Sequence, residues 1–114
     1  MAQLPAETLK TVLSLQQQLL EQIDEARSVE FTLLEQFGET DETIPELEEL
    51  QSIRERADLY YSRFSVTLRR IYDAQPVASR DMLELLARSI NEATSALAAT
   101  AANVREIKSN WNLL

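Results

Sequence analysis

Two runs of mostly apolar residues, spaced alternately three and four apart, constrain the fold of this chain more than any other feature. The first run is Leu47, Leu50, Arg54, Ala57, Tyr61, Phe64, Leu68 and Ile71. The second run is Leu83, Leu86, Ile90, Ala93, Leu97, Thr100, Val104, Ile107, Trp111 and Leu114. This alternation keeps one stripe of a helix against a neighbouring helix along its whole length. The sequence therefore predicts long helices that pack nearly parallel or antiparallel.

A third stripe of apolar residues predicts another helix in the N-terminal part of the chain. Its members are Leu9, Val12, Leu13, Leu19, Leu20, Ile23, Ala26, Leu33, Leu34 and Phe37. Pro5 suits a first helical turn, because its missing N–H would have no partner there. Gly38 is the only glycine, and it follows the stripe at the position of a left-handed C-cap. Helix 1 is therefore predicted to span about 5–37.

The second helix has a start signal and a stop signal in the sequence. Thr43-x-x-Glu46 is the pattern of a capping box, in which each side chain accepts from a backbone N–H of the other residue. Gln75 is biased away from helical angles because Pro76 follows it. Helix 2 is therefore predicted to span about 44–74 and to end before Pro76.

The third helix is predicted to span about 79–111, with Ser79 as its N-cap and Asp81 in its first turn. The connections between the three helices have only about five residues, which makes neighbouring helices antiparallel. The expected fold is all-α: residues 1–114 form one domain, an elongated antiparallel three-helix bundle with coiled-coil-like packing.

The composition argues against an enzyme and against a bound cofactor. The chain has no His and no Cys, so it lacks the commonest general base, the commonest metal ligand and any thiolate. One glycine is too few for a glycine-rich phosphate-binding loop. We therefore identify no candidate catalytic, cofactor-binding or metal-ligating residue and expect no cofactor.

The net charge of −8 argues against binding to nucleic acid, which needs clustered Lys and Arg. The arginines of the second half alternate with acids, which is typical of an ion-paired helix surface. No basic and apolar leader is present at the N-terminus, and the least polar stretch, residues 96–104, is too short to span a bilayer. The sequence predicts a cytoplasmic protein that does not bind membranes.

Polar residues interrupt the apolar stripes and are candidates for a layer inside the bundle. Folding the antiparallel hairpin brings Glu30 level with Arg54, and folding the third helix back brings Thr100 to a similar height. The layer Glu30–Arg54–Thr100 has two interpretations. It is either a polar ligand site or a device that sets the register of the helices, since a polar core layer disfavours other pairings.

Seven acids and no base occupy the connection between the first two helices and its flanks. These acids, which we call the acidic tip, are Glu35, Glu39, Asp41, Glu42, Glu46, Glu48 and Glu49. Their spacing does not match an EF-hand loop. The tip is either a solvated end that favours the N-terminus of helix 2 or a surface that attracts a basic partner protein, because a surface of one charge steers association.

A second candidate surface consists of apolar and small residues that the three-helix core does not need. They are Leu59, Tyr72, Met82, Leu85, Ala96 and Ala99. The alanines either raise helix propensity or allow another helix to approach closely. We expect these residues to associate with a protein partner, and the sequence favours a symmetric homodimer over a monomer that awaits a different protein.

The C-terminal tail contains the only tryptophan, and it also has two interpretations. Trp111, with Leu113 and Leu114, either covers the end of the core near Phe37 and Ile44 or forms an exposed docking motif for the groove of a partner.

Two hypotheses for function follow. The first is a non-enzymatic helical protein-interaction module, such as an adaptor, a small chaperone or a regulatory subunit, which acts through helix faces and the acidic tip. The second is a carrier that holds an apolar or aromatic small molecule beside Tyr60, Tyr61 and Phe64, in the bundle core or in a dimer cleft. The first is favoured because ordinary core residues fill the stripes.

Overall fold

The computed structural model describes residues 4–74 and 79–114. They form three helices, α1 (Ala6–Phe37), α2 (Ile44–Asp73) and α3 (Arg80–Asn110), and these described ranges contain no strand. The helices pack into an elongated bundle with principal extents of 56 × 19 × 16 Å. The predicted all-α fold is confirmed, and each predicted helix end lies within one residue of the observed end.

The ends of α1 and α3 follow from local signals. Gly38 has a φ of 72°, a value that favours glycine, and its N–H donates to the carbonyl of Leu34 at 3.0 Å. Its ψ of −171° differs from that of a left-handed cap, so the chain leaves α1 in an extended direction. The Ser79 hydroxyl accepts from the N–H of Met82 at 3.1 Å, as predicted for an N-cap. The backbone bias predicted for Gln75 and Pro76 lies outside the described residues.

The capping box predicted at Thr43 and Glu46 is wrong. Thr43 has helical angles and makes no capping hydrogen bond to α2. A reciprocal pair forms one turn earlier instead: the Thr40 hydroxyl accepts from the N–H of Thr43 at 3.1 Å, and the Thr43 hydroxyl accepts from the N–H of Thr40 at 2.8 Å. This turn already directs the Thr40 carbonyl at the N–H of Ile44, at 2.9 Å. The fully buried Thr43 hydroxyl can therefore donate to the Gly38 carbonyl, at 2.8 Å, and close the connection.

The core consists of two apolar clusters along the bundle. The cluster farther from the α1–α2 connection contains Val12, Leu15, Leu19, Ala57, Phe64, Ile71, Leu86 and Ala93. The cluster nearer that connection contains Ala26, Val29, Leu33, Leu50, Ile53, Val104 and Ile107. Residues of all three helices contribute to both clusters, so each helix depends on the other two for burial of its apolar stripe.

The buried stripe of α1 is rotated relative to the predicted one. Leu15 and Val29, which were outside the prediction, are buried, whereas Leu13, Leu20 and Leu34 are about half exposed. The reason is the position of α3, which packs against the flank of α1 that carries Leu15 and Val29. The opposite flank of α1 is left beside α2 without a third helix to cover it.

Candidate functional site

The predicted pair Glu30–Arg54 is present, and Arg27 joins it. The Arg54 Nε lies 3.1 Å from Glu30 Oε2, and both Nε and Nη2 of Arg54 lie 3.2 Å from Glu30 Oε1. The Arg27 Nη1 lies 3.1 Å from Glu30 Oε2. The Glu30 side chain is buried, the Arg54 side chain is about a quarter exposed and the Arg27 side chain is mostly exposed. One buried carboxylate is thus shared by two guanidinium groups, both of which reach solvent.

Thr100 does not belong to this layer, so the predicted set Glu30–Arg54–Thr100 is wrong in that member. Its hydroxyl donates to Gln22 Oε1 at 2.7 Å, in a buried contact between α3 and α1. Gln22 precedes Glu30 by eight residues on α1, which is about 12 Å along a helix at 1.5 Å per residue. The predicted height of Thr100 was wrong because the spacing of an apolar stripe defines which side of α3 is buried and does not define the height of α3 along α1.

Polar contacts between helices therefore occur at separate heights. Gln16 donates from Nε2 to the Ser65 hydroxyl at 3.0 Å, and the Gln22–Thr100 bond lies between the two apolar clusters. Among the described residues, every buried side-chain nitrogen and oxygen has a hydrogen-bond partner. The buried polar groups thus leave no free atom for a ligand, and their arrangement favours the interpretation in which they set the register.

The acidic tip forms one end of the bundle. Six of its acids are exposed and have no ion pair or hydrogen bond within the described chain; these are Glu35, Glu39, Asp41, Glu42, Glu48 and Glu49. Glu46 differs, because its Oε2 accepts from the Trp111 Nε1–H at 3.2 Å. The described residues contain no group of three carboxylates placed to hold a metal ion. The tip is a surface of uncompensated negative charge.

The tail lies against this end of the bundle. The rings of Trp111 and Phe37 are 4.9 Å apart between centroids and tilted by 60°, and Trp111 and Leu113 pack against the nearer apolar cluster. Leu114, by contrast, is 78% exposed. The geometry favours the capping interpretation for Trp111 and leaves Leu114 available at the surface.

The six residues proposed for association do not form one surface. Leu59 and Leu85 line a groove of about 560 Å³ between α2 and α3, together with Arg63, Arg70 and Arg88. Of the other members, Met82 packs against the core, Ala96 borders a small interior cavity, and Tyr72 is exposed on another side of α2. Ala99 is exposed on α3 and does not line this groove. Thirteen residues separate Leu59 from Tyr72, which turns α2 by about 220° and places them on nearly opposite sides.

A further apolar strip was missed from the sequence. Leu13, Leu20, Phe31 and Leu34 lie beside Gln16 and Glu30, two residues of α1 that hydrogen-bond to α2. All four are about half exposed or more. Tyr72 lies two turns beyond Ser65 on the matching side of α2. We call the exposed residues Leu13, Leu20, Phe31, Leu34 and Tyr72 the α1–α2 face. The sequence feature that indicates this face is the width of the apolar stripe of α1. The stripe is wider than the two neighbouring helices can cover.

The interior leaves little space beside the residues proposed for a carrier. The cavity that reaches Tyr60 is lined also by Leu19, Gln22, Ala57 and Thr100 and has a volume of about 10 Å³, which is room for about one water molecule.

Comparisons with protein-family models, with curated proteins and with solved structures each found no match. Within 4–74 and 79–114, none of the helices combines the length and the apolar character that crossing a membrane would require.

Proposed function

We propose that this protein is a cytoplasmic, non-enzymatic helical module that binds another protein through its helix faces and its acidic tip, as an adaptor, a small chaperone or a regulatory subunit does. The α1–α2 face is the observation that carries the proposal. Phe31 is 67% exposed, and Leu13 and Leu20 are 51% and 50% exposed on the same flank of α1. Apolar strips that a fold leaves uncovered are typical of protein-binding surfaces.

The charge of the acidic tip supports a basic region on the partner. Its six unpaired acids lie at the end of the bundle that also carries Leu34 and Phe37. A surface of one sign raises the rate of encounter with an oppositely charged surface, and the adjacent apolar groups then supply the contact area. Binding to nucleic acid or to an anionic membrane is disfavoured by the same charge.

The carrier hypothesis has weaker support. Phe64 is fully buried, and the cavity of about 10 Å³ near Tyr60 is too small for an aromatic ligand. Ligand pockets for small molecules have volumes of about 300–1,000 Å³ and bury most of the ligand.

Photo-crosslinking in the host cell tests the proposal directly. Phe31 is replaced by a benzophenone-bearing phenylalanine, and a matched variant carries the same residue at the exposed Ala98 on α3. We expect one adduct of discrete mass from position 31 and none of that mass from position 98. The Phe31 side chain is mostly exposed, so the helical circular dichroism of both variants should match that of the parent chain.

The proposal is contradicted if position 31 gives no adduct, or if positions 31 and 98 give the same adducts. The mass of an adduct identifies the type of partner, because two copies of the 13.0 kDa chain together give about 26 kDa.

A further inference from the structure

One side of α2 carries an outward stripe whose spacing is symmetric about Leu59. Glu55 and Arg63 lie four residues before and after Leu59, and Glu48 and Arg70 lie eleven residues before and after it. At about 100° per residue, the other four side chains lie within about 40° of Leu59 around the helix, so the stripe spans about 80°. All are exposed, and Leu59 is 49% exposed.

The charges on this stripe change sign at Leu59. Both acids of this set precede Leu59 and both of its arginines follow it, so an antiparallel copy of α2 centred on Leu59 would match opposite charges at these four positions. Glu55 would face Arg63 of the partner subunit, and Glu48 would face Arg70 of the partner subunit. A parallel copy in register would instead place like charges opposite each other, which is destabilising.

The neighbouring side of α3 has the same symmetry at a similar height. Leu97 and Ala96 border the small cavity with Ile53, Arg56, Ala57 and Tyr60, which places Leu97 within about one helical turn of the height of Leu59. Arg88 and Glu106 lie nine residues before and after Leu97, and they are on one side of α3 because eighteen residues make five turns.

The residues between that arginine and that acid are small. Ser95 and Ala99, each two residues from the level of Leu97, lie on the same side of α3 and are exposed. Small side chains at this height allow two copies of α3 to approach closely while Leu59 fills the space beside them. Arg88 lines the groove together with Leu59, so the stripes of α2 and α3 point to the same side of the bundle.

The groups on this side have no competing ion pairs in the described chain. Arg70, Arg88, Glu48 and Glu106 make no salt bridge there. Glu55 accepts only from Gln51, and the Arg63 guanidinium lies over the Tyr60 ring at 5.8 Å. Charges that are unpaired within one chain and complementary between two chains favour a second copy as the occupant.

The available area is also adequate. The side is about as wide as the 19 Å bundle, and α2 has 30 residues. At 1.5 Å per residue the whole side has a projected area of roughly 850 Å² per copy, so full coverage by a second copy would reach the roughly 800 Å² per partner of a standard protein–protein interface.

The α2–α3 face consists of the α2 stripe and the α3 stripe described above, which are Glu48, Glu55, Leu59, Arg63, Arg70, Arg88, Ser95, Ala99 and Glu106. We propose that two copies of this chain form an antiparallel dimer through the α2–α3 face, with the two-fold axis passing between the two Leu59 side chains. The inference rests on the proposed function, because it names the α2–α3 face as one binding surface of the interaction module and a second copy of the chain as the partner. The acids Glu48 and Glu55 of one copy bind Arg70 and Arg63 of the partner subunit, and Arg88 binds Glu106 of the partner subunit. The α1–α2 face stays uncovered and available for a different protein.

A charge-exchange cycle tests the register. Arg63→Glu places two carboxylates opposite each other at two symmetric points, and Glu55→Arg places two guanidinium groups there. We expect each single variant to raise the dimer dissociation constant by about tenfold or more. The double variant Glu55→Arg/Arg63→Glu restores opposite charges at both points and should return the dissociation constant to within about threefold of the parent value.

A cysteine crosslink tests the position of the axis, because the chain has no cysteine of its own. Leu59→Cys should give a 26 kDa disulfide-linked dimer on mild oxidation, since residues on a two-fold axis can bring their Cα atoms within the roughly 7 Å that a disulfide needs. Leu20→Cys is the matched control, as Leu20 is 50% exposed on the α1–α2 face. It should stay at 13 kDa.

A chain that sediments as a monomer at all concentrations overturns the dimer, as does equal crosslinking of the two cysteine variants. A dimer that persists in both single charge variants overturns the register. A 26 kDa adduct from Phe31 would move self-association to the α1–α2 face and overturn this inference while supporting the proposed function. If the variant at position 31 crosslinks to a different protein and the chain sediments as a monomer, this inference is also overturned and the proposed function is supported.

Discussion

The Thr100 hydroxyl donates to Gln22 Oε1 at 2.7 Å, and this buried bond joins α3 to α1 between the two apolar clusters. Thr100→Val removes the donor and leaves the amide oxygen buried without it, so we expect the free energy of unfolding to fall by about 1–3 kcal/mol. Gln22→Leu/Thr100→Val should be close to neutral, because both polar groups are replaced together.

Thr94→Val is the matched control for this pair in urea unfolding. Thr94 is exposed on the same helix, and its hydroxyl donates only to the Ile90 carbonyl, at 2.7 Å. Its replacement should change stability by less than about 0.5 kcal/mol. Equal effects of Thr94→Val and Thr100→Val would show that the contact with Gln22 contributes nothing.

Glu30 should depend on its two arginines unequally. Arg54→Met is expected to lower the free energy of unfolding by about 1–3 kcal/mol, below the 3–5 kcal/mol for breaking a buried pair, because Arg27 still contacts the carboxylate. Arg27→Met should cost less than about 1 kcal/mol, since the Arg27 side chain is 70% exposed. Thermal and urea unfolding measure both, and an unchanged melting temperature for Arg54→Met would contradict the pairing.

The Thr43 hydroxyl should be required for the α1–α2 connection. It donates to the Gly38 carbonyl and accepts from the Thr40 N–H, both at 2.8 Å. Thr43→Val keeps the volume and removes both bonds, so we expect a loss of about 1–3 kcal/mol. Thr32→Val is the control, because the Thr32 hydroxyl donates only within α1 to the Ser28 carbonyl. A loss of similar size in both variants would argue against this role.

Trp111 should behave as a cap of the core. Trp111→Phe keeps a ring beside Phe37 and loses the bond to Glu46, so it should lower the free energy of unfolding by about 0.5–1.5 kcal/mol. Trp111→Ala should lower it by more, about 2–3 kcal/mol, since a half-buried ring is removed. Leu114→Ala is the control, as its side chain is 78% exposed. No loss in Trp111→Ala would favour the docking interpretation.

Self-association should weaken with salt. The proposed dimer contains three kinds of arginine–glutamate pair at its surface, and screening lengths shrink from about 30 Å at 0.01 M to about 3 Å at 1 M salt. We expect the sedimenting mass to rise from 13 kDa towards 26 kDa with concentration at low salt and to fall again as salt is added. An apparent mass that rises with salt would indicate an apolar contact instead of the charge-matched one.

The sequence determined the end of α1 and the start of α3, because those signals are local. Alternating three- and four-residue spacing, the single glycine and Ser79 each act within one or two turns of the chain. The pair Glu30–Arg54 was also predictable, since a short connection sets the relative height of α1 and α2.

Tertiary structure decided which flank of each helix is covered. Leu13 and Leu15 are two residues apart on one helix, and only the position of α3 makes Leu15 buried and Leu13 exposed. The same position pairs Thr100 with Gln22 instead of Glu30. An apolar stripe predicts the buried side of a helix only to within about 100° around the helix axis, which is one residue step. The packing of a third helix therefore decides which of the neighbouring side chains are buried.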